Sequence, residues 1–294
     1  MFRTRLFALI AVLAVASFAQ DAPRLPLEPV PLNSVGTVSS VAMDRSGVIY
    51  VLQRGDKADP VIAVDKTGKT LRSWGKGMFT VPHSVRVDAD GNIWTVDAGS
   101  SVILKFTPKG RKLQEISVGE MAVGDKCLTP ILCGTTDITF GPNGRLFISD
   151  GYGNARILEY TADGKRVKAW GSAGTGPGQL NTPHGIAYQA NTLYVADRGN
   201  SRVQRFDLDG RYLGEWTNLG RPFALKVSGG ALWISTMFAK PAILKVDPAS
   251  GKILGQIESP GPHSIDVSPA GEPVASGCCG GSNPNGYSWF RMTR

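Results

Sequence analysis

A short signature recurs along the chain and restricts its fold more than any other feature. A glycine that closes a polar turn is followed six residues later by Trp or Ile: Gly68/Trp74, Gly110/Ile116, Gly164/Trp170, Gly210/Trp216 and Gly251/Ile257. Successive glycines are 42, 54, 46 and 41 residues apart. Upstream of each lies a short alternating segment, ending at Gln53, Asp97, Asp150, Asp197 and Thr236, always 13 to 15 residues before the glycine. A sixth copy, EPVASG, ends at Gly277. Alternation with period two is the mark of strands, and Asp90-Gly91, Asn143-Gly144 and Asp209-Gly210 supply turns between them. Each unit of about 45 residues therefore reads as four short strands, a sheet that must stack on its neighbours to bury both faces. Six such units about an axis predict an all-β fold, a six-bladed β-propeller with a central channel. No Trp-Asp pair ends a strand, so the WD40 signature is absent.

Composition agrees. The chain carries 36 glycines in 294 residues, well above the usual level of about 7%. That excess suits a turn-rich β protein and excludes a long-helix or coiled-coil protein. The sixth unit runs from Pro262 to Arg294 and has room for only three strands. The segment Leu25 to Asn33 is expected to add the fourth, at an outer edge where its prolines leave no ladder bond unmade.

Residues 1–19 read as a cleavable secretory signal. Arg3 and Arg5 are followed by an apolar run from Leu6 to Phe18, and Ser17 and Ala19 satisfy the small-x-small rule before Gln20. The run is shorter than the roughly 20 residues a membrane anchor needs. No cysteine follows it, which argues against a lipid anchor. The expectation is an exported protein, periplasmic or extracellular, with residues 20–294 forming one domain and acting as a monomer. Its formal charge of +8 falls to +6 when Arg3 and Arg5 leave with the signal. Lys and Arg are scattered with no run of five, so neither nucleic acid nor a membrane is expected as partner. Export permits disulfides. Cys127, Cys133, Cys278 and Cys279 allow three pairings, of which Cys127–Cys133 closes a short loop and comes first.

The chemistry is concentrated in three histidines, the only ones in the chain. They lie in Pro82-His83-Ser84-Val85, Pro183-His184-Gly185-Ile186 and Pro262-His263-Ser264-Ile265. Each precedes the end of its unit's second strand by 13 or 14 residues, so the three share one position at the start of the innermost strand. They fall in units two, four and six, while Ser39, Thr136 and Phe223 take that position in the others. Alternate units of a six-fold ring are 120° apart, so three imidazoles at one height must converge on the axis. Any single histidine is most simply a core or surface residue. All three on one three-fold pattern make a metal tripod, and three neutral imidazoles with an open fourth position suit zinc. Imidazoles alone also admit copper, iron or cobalt. The loops after the second strands open on one face and offer Arg54, Tyr152 and Arg198. Arginine is a fork for carboxylates. A tyrosine beside cations can act as a general base, its pKa lowered by their charge. Cys278 and Cys279 occupy the equivalent loop of unit six, as a vicinal disulfide, a soft metal ligand or a redox pair.

These residues resemble a known family. GSAGTGPGQLNTPHGIAY followed by LYVADRGNSRVQRF looks like NHL repeats. The Pro-His pairs of alternate units, DGYGNARI and ADRGNSR together resemble the peptidyl-α-hydroxyglycine α-amidating lyase domain. That resemblance implies cleavage of a carbinolamide to an amide and glyoxylate, with zinc (Zn2+) at His83, His184 and His263. It implies Tyr152 as base near the metal, and Arg54 and Arg198 on a small-molecule or peptide substrate that carries a carboxylate. It also implies a structural calcium (Ca2+) helped by an acid after the third histidine, where this chain has Ser264. The family's cysteine after the tyrosine is replaced by Gly153. Two other readings stay open: a propeller hydrolase or lactonase, and a non-catalytic exported NHL binding module.

Overall fold

Each repeat becomes an antiparallel four-stranded sheet, and the sheets pack side by side in a ring. The computed structural model describes residues 27–29, 32, 35–121, 126–237, 241–259, 261–277 and 289–292. The expected signal segment, Cys278 and Cys279 lie outside the described residues. Five sheets are built from four consecutive strands each, spanning 37–74, 82–117, 137–170, 183–216 and 221–258. These are sheets 1 to 5. In sheet 6, strands Pro262–Val267, Pro273–Gly277 and Trp289–Met292 are joined by Leu27–Pro29, which pairs antiparallel with Trp289–Met292. A two-stranded parallel piece, Ser172–Ala173 with Gln179–Leu180, lies between sheets 3 and 4. This all-β architecture is a propeller. Among the described residues no helix is long and apolar enough to cross a membrane.

The apolar core is divided among the seams between sheets. Tyr50 and Leu52 of sheet 1 pack with Val85 and Ile93 of sheet 2. Trp94 and Ile103 of sheet 2 pack with Ile138 and Ile148 of sheet 3. The series continues between sheets 3 and 4, 4 and 5, and 5 and 6, and Val274 of sheet 6 joins Val38 and Val51 of sheet 1. The repeat signature is part of these seams. Gly110, Gly210 and Gly251 adopt positive φ and lie flat on Trp74, Trp170 and Trp216 of the preceding sheet. A Cβ at Gly210 would stand 2.7 Å from the Trp170 ring, so only glycine permits the stack.

The inner strands position the site. They are Thr37–Met43, Pro82–Val87, Asp137–Phe140, Pro183–Gln189, Arg221–Ser228 and Pro262–Val267, for sheets 1 to 6 in turn. In the three histidine-bearing strands the pairing register shifts around the histidine, between Pro82 and Ser84, Pro183 and Ile186, and Pro262 and Ser264. Sheets 1 and 5 shift likewise around Ser39 and Phe223. A bulge releases the residue from the ladder and re-aims its side chain. Here it turns each imidazole toward the axis.

Candidate metal centre

His83, His184 and His263 meet at the axis. They are 2%, 3% and 2% exposed, and one ligand atom from each lies within 4.8 Å of the others. Their ring centroids are 4.8 to 5.1 Å apart, a nearly equilateral triangle. Each ring is held from behind by the sheet that follows it. The Nδ1–H of His83 donates to the Thr136 carbonyl at 2.6 Å, that of His184 to the Phe223 carbonyl at 3.0 Å, and that of His263 to the Ser39 carbonyl at 2.8 Å. The three acceptors are the residues at the histidine-equivalent position of the alternate sheets. A carbonyl only accepts, so each Nδ1 carries the proton and each Nε2 keeps its lone pair. This carbonyl support behind an imidazole is the usual second layer of a metal site.

Burial pushes all three imidazoles down, with Arg54, Arg198 and mutual repulsion among the further causes; His263 falls to about 3. The rings are therefore neutral at pH 7, the form that binds metal.

Tyr152 closes the triangle on one side. Its hydroxyl lies 2.8 Å from His83 Nε2 and 2.9 Å from His184 Nε2. A phenol has one proton to give, and two acceptor nitrogens face it. One of these two contacts therefore sets lone pair against lone pair. A cation resolves this: three imidazole nitrogens and a phenol oxygen converge with lone pairs inward, and a zinc-type ion fits that donor set.

Arg198 and Arg54 flank the tyrosine. The Arg198 guanidinium lies 5.4 Å from the Tyr152 ring centroid and 5.0 Å from that of Phe223, and its buried Nε has no hydrogen-bond partner among the described residues. Its charge favours the ionised form of the Tyr152 hydroxyl. Arg54 Nε donates to the Pro82 carbonyl at 2.9 Å, beside His83. The structure thus brings His83, His184, His263, Tyr152, Arg54 and Arg198 to one place. One expectation needs correcting. The two arginines do lower the Tyr152 pKa, but burial outweighs them and the net shift is upward. Tyr152 is only 3% exposed, so desolvation dominates.

The loop ahead of sheet 3 supports the tyrosine. Cys127 and Cys133 form a disulfide. Next to it, Gly134 accepts a hydrogen bond from the Tyr152 N–H at 3.1 Å and donates to the Ala98 carbonyl at 3.0 Å.

A polar pair that the sequence reading missed lies on the axis below the imidazoles. Arg86 and Asp137 are 6% and 3% exposed and bonded to each other, with Arg86 Nε donating to Asp137 Oδ1 at 2.9 Å. A charged residue inside an innermost strand was the available signal. Arg86 also donates to the carbonyls of Ile265 and Leu225. The axial carboxylate and these carbonyls are thus already taken by a guanidinium, and the residue after His263 is Ser264. The axis does not fit the calcium that the family resemblance implies.

Comparison with known proteins agrees with this architecture. The NHL repeat family matches residues 180–206, across the second Pro-His pair and the Arg198 loop. A mouse peptidyl-glycine alpha-amidating monooxygenase is 31% identical over 209 residues, 59% of this chain. The chain spans only 21% of that relative's length. A probable peptidyl-alpha-hydroxyglycine alpha-amidating lyase of Caenorhabditis elegans is 27% identical over 246 residues, covering 72% of this chain and 69% of the relative. A solved streptogramin B lyase superposes with a TM-score of 0.63 at 20% identity, covering 91% of this chain and 87% of that one, a likeness of fold. The chain is an all-β propeller carrying an NHL repeat. Within that class it resembles the peptidyl-α-hydroxyglycine α-amidating lyases.

Proposed function

We propose that this chain is an exported zinc lyase that cleaves a carbinolamide of the peptidyl-α-hydroxyglycine type to an amide and glyoxylate. In this reading the six sheets are six blades about the catalytic axis. One observation carries it: three buried neutral imidazoles, a tyrosine hydroxyl and two arginines converge on one point. The names of the relatives support the reaction class, and the Cys127–Cys133 disulfide supports an oxidising compartment.

The residues divide the chemistry. His83, His184 and His263 would hold the zinc through Nε2. When bound, zinc would supply a Lewis acid that lowers the pKa of a hydroxyl beside it. Arg54 and Arg198 take the substrate carboxylate, and Arg198 brings a buried Nε–H that no group among the described residues accepts. They also stabilise the phenolate of Tyr152. Tyr152 accepts the proton of the substrate's α-hydroxyl. The oxygen's electron pair then forms the glyoxylate carbonyl, the C–N bond breaks, and the amide nitrogen takes up a proton. Tyr152 can return that proton, which makes it both base and acid in one cycle. Its burial keeps competing water out.

Glyoxylate release from an N-acyl-α-hydroxyglycine tests the reading. Zinc-loaded chain is expected to release glyoxylate and amide in equal amounts, and Tyr152→Phe to lose this. A zinc-loaded chain that releases none refutes the proposed substrate class.

A further inference from the structure

The Arg86–Asp137 pair is connected to all three histidine strands. Asp137 Oδ1 accepts from the Ser84 hydroxyl at 2.6 Å, and Ser84 directly follows His83. Asp137 Oδ2 accepts from the Ile186 N–H at 3.2 Å, two residues beyond His184. Arg86 lies on the His83 strand and donates through Nη1 to the Ile265 carbonyl at 3.1 Å, two residues beyond His263. Its Nη2 reaches the Leu225 carbonyl of sheet 5 at 3.4 Å. Asp137 itself follows Thr136, whose carbonyl holds His83 Nδ1. One buried ion pair thus joins sheets 2 to 6 directly beneath the imidazoles.

The location matters because the histidines sit in bulges. Where the register shifts, ladder hydrogen bonds do not fix the strand against its partner. Cross-sheet contacts must fix the imidazole instead. They include the Nδ1–carbonyl bond behind each ring, the hydroxyls of Thr136 and Ser149 on the Pro183 and His184 carbonyls, Arg54 on the Pro82 carbonyl, and the axial pair below, which alone among these reaches all three histidine strands. Between pair and rings lies a polar cavity of about 10 Å³, room for about one water, lined by Ser40, Ser84 and Ser264 among others. Replacing a buried ion pair by apolar side chains often costs a fold little stability. Such a pair is therefore better explained by what it positions.

We infer that Arg86 and Asp137 are positioning residues for the metal tripod, setting the distances among the three imidazoles through the strands that carry them. This rests on the reading of the histidines as metal ligands. The pair acts through the strands and does not touch the metal or the substrate. Its loss leaves all three ligands in place but lets the triangle spread, which weakens zinc binding.

The test is zinc affinity by competition with a chromophoric chelator, together with the visible spectrum of the cobalt(II)-substituted chain. Wild type is compared with Arg86→Met/Asp137→Leu, with Ser84→Ala, and with Leu244→Ala as a destabilised control in the core between sheets 4 and 5. Altered second-layer contacts typically cost 10–100-fold in metal affinity. A loss of about that size is expected in the double variant, with a changed cobalt spectrum, and a loss of several-fold in Ser84→Ala. The control is expected to lower Tm without weakening zinc binding. Wild-type affinity and spectrum in the double variant would overturn the inference. Should that variant not fold, wild-type affinity in Ser84→Ala would overturn it equally. Wild-type chain that binds no zinc would instead refute the metal-site reading on which the inference rests.

Discussion

Gly151→Ala separates the tyrosine from the tripod by a known amount. Gly151 precedes Tyr152 and packs directly on the strand that carries His184. A Cβ there would stand 1.9 Å from the Pro183 carbonyl oxygen and 2.9 Å from its carbon. Non-bonded Cβ contacts stay above about 3.0 Å, so sheets 3 and 4 must part locally by about 1.1 Å. The obstacle is backbone on both sides, so no side-chain rotation relieves it. Pro183 is bonded to His184, whose Nε2 is 2.9 Å from the tyrosine hydroxyl. A parting of that size breaks this contact. Overpacking of this kind costs about 1–3 kcal/mol of stability, and a misplacement of about 1 Å costs on the order of 100-fold in rate. The assay is urea unfolding beside glyoxylate release at saturating zinc. Wild-type stability and wild-type rate together would refute the packing argument. A lowered stability with an unchanged rate would refute the placement of Tyr152 against His184 as functional.

Further outcomes follow from the same structure. Tyr152→Phe is expected to lower kcat by about 100- to 10,000-fold, the usual contribution of a general acid–base; steady-state kinetics at fixed zinc load check this. The metal-free chain is expected to lose stability as pH falls below about 6.5, because the unfolded histidines bind protons that the buried ones refuse until far lower, about 3 for His263. Three such groups steepen the acid limb by up to about 4 kcal/mol per pH unit; urea unfolding at pH 7.5 to 4.5 against His83→Gln/His184→Gln/His263→Gln checks it, the variant lacking that limb. Deleting residues 20–33 removes the strand Leu27–Pro29 and its three ladder pairs with Trp289–Met292. About 3 kcal/mol is then lost, and Tm is expected to fall by about 5–10 °C; an unchanged Tm contradicts the role of that strand.

Much of the architecture was written in short-range pattern. Alternation and the glycine–Trp spacing marked the strands; that spacing lies within one sheet, while the glycine itself lies flat on the indole of the sheet before it. The histidines were legible because equivalent positions in a ring converge. That symmetry also explains why Ser39, Thr136 and Phe223, seen at first only as the residues that were not histidine, turn out to hold the rings from behind. Arg86 and Asp137 were not legible as a pair. They are 51 residues apart, and nothing local marks two inner-strand charges as partners. The bulges were hidden for a related reason, since register is a property of two strands together. The upward shift of Tyr152 escaped because its burial, unlike the neighbouring arginines, has no mark in the sequence.

The central claim is the tripod, and metal content tests it most directly. The purified chain and a His83→Ala/His184→Ala/His263→Ala variant, both reconstituted with zinc and desalted, are analysed by elemental mass spectrometry. The account predicts one zinc per chain in the first and none in the second. A chain that keeps no stoichiometric transition metal, or a variant that retains it, contradicts the account.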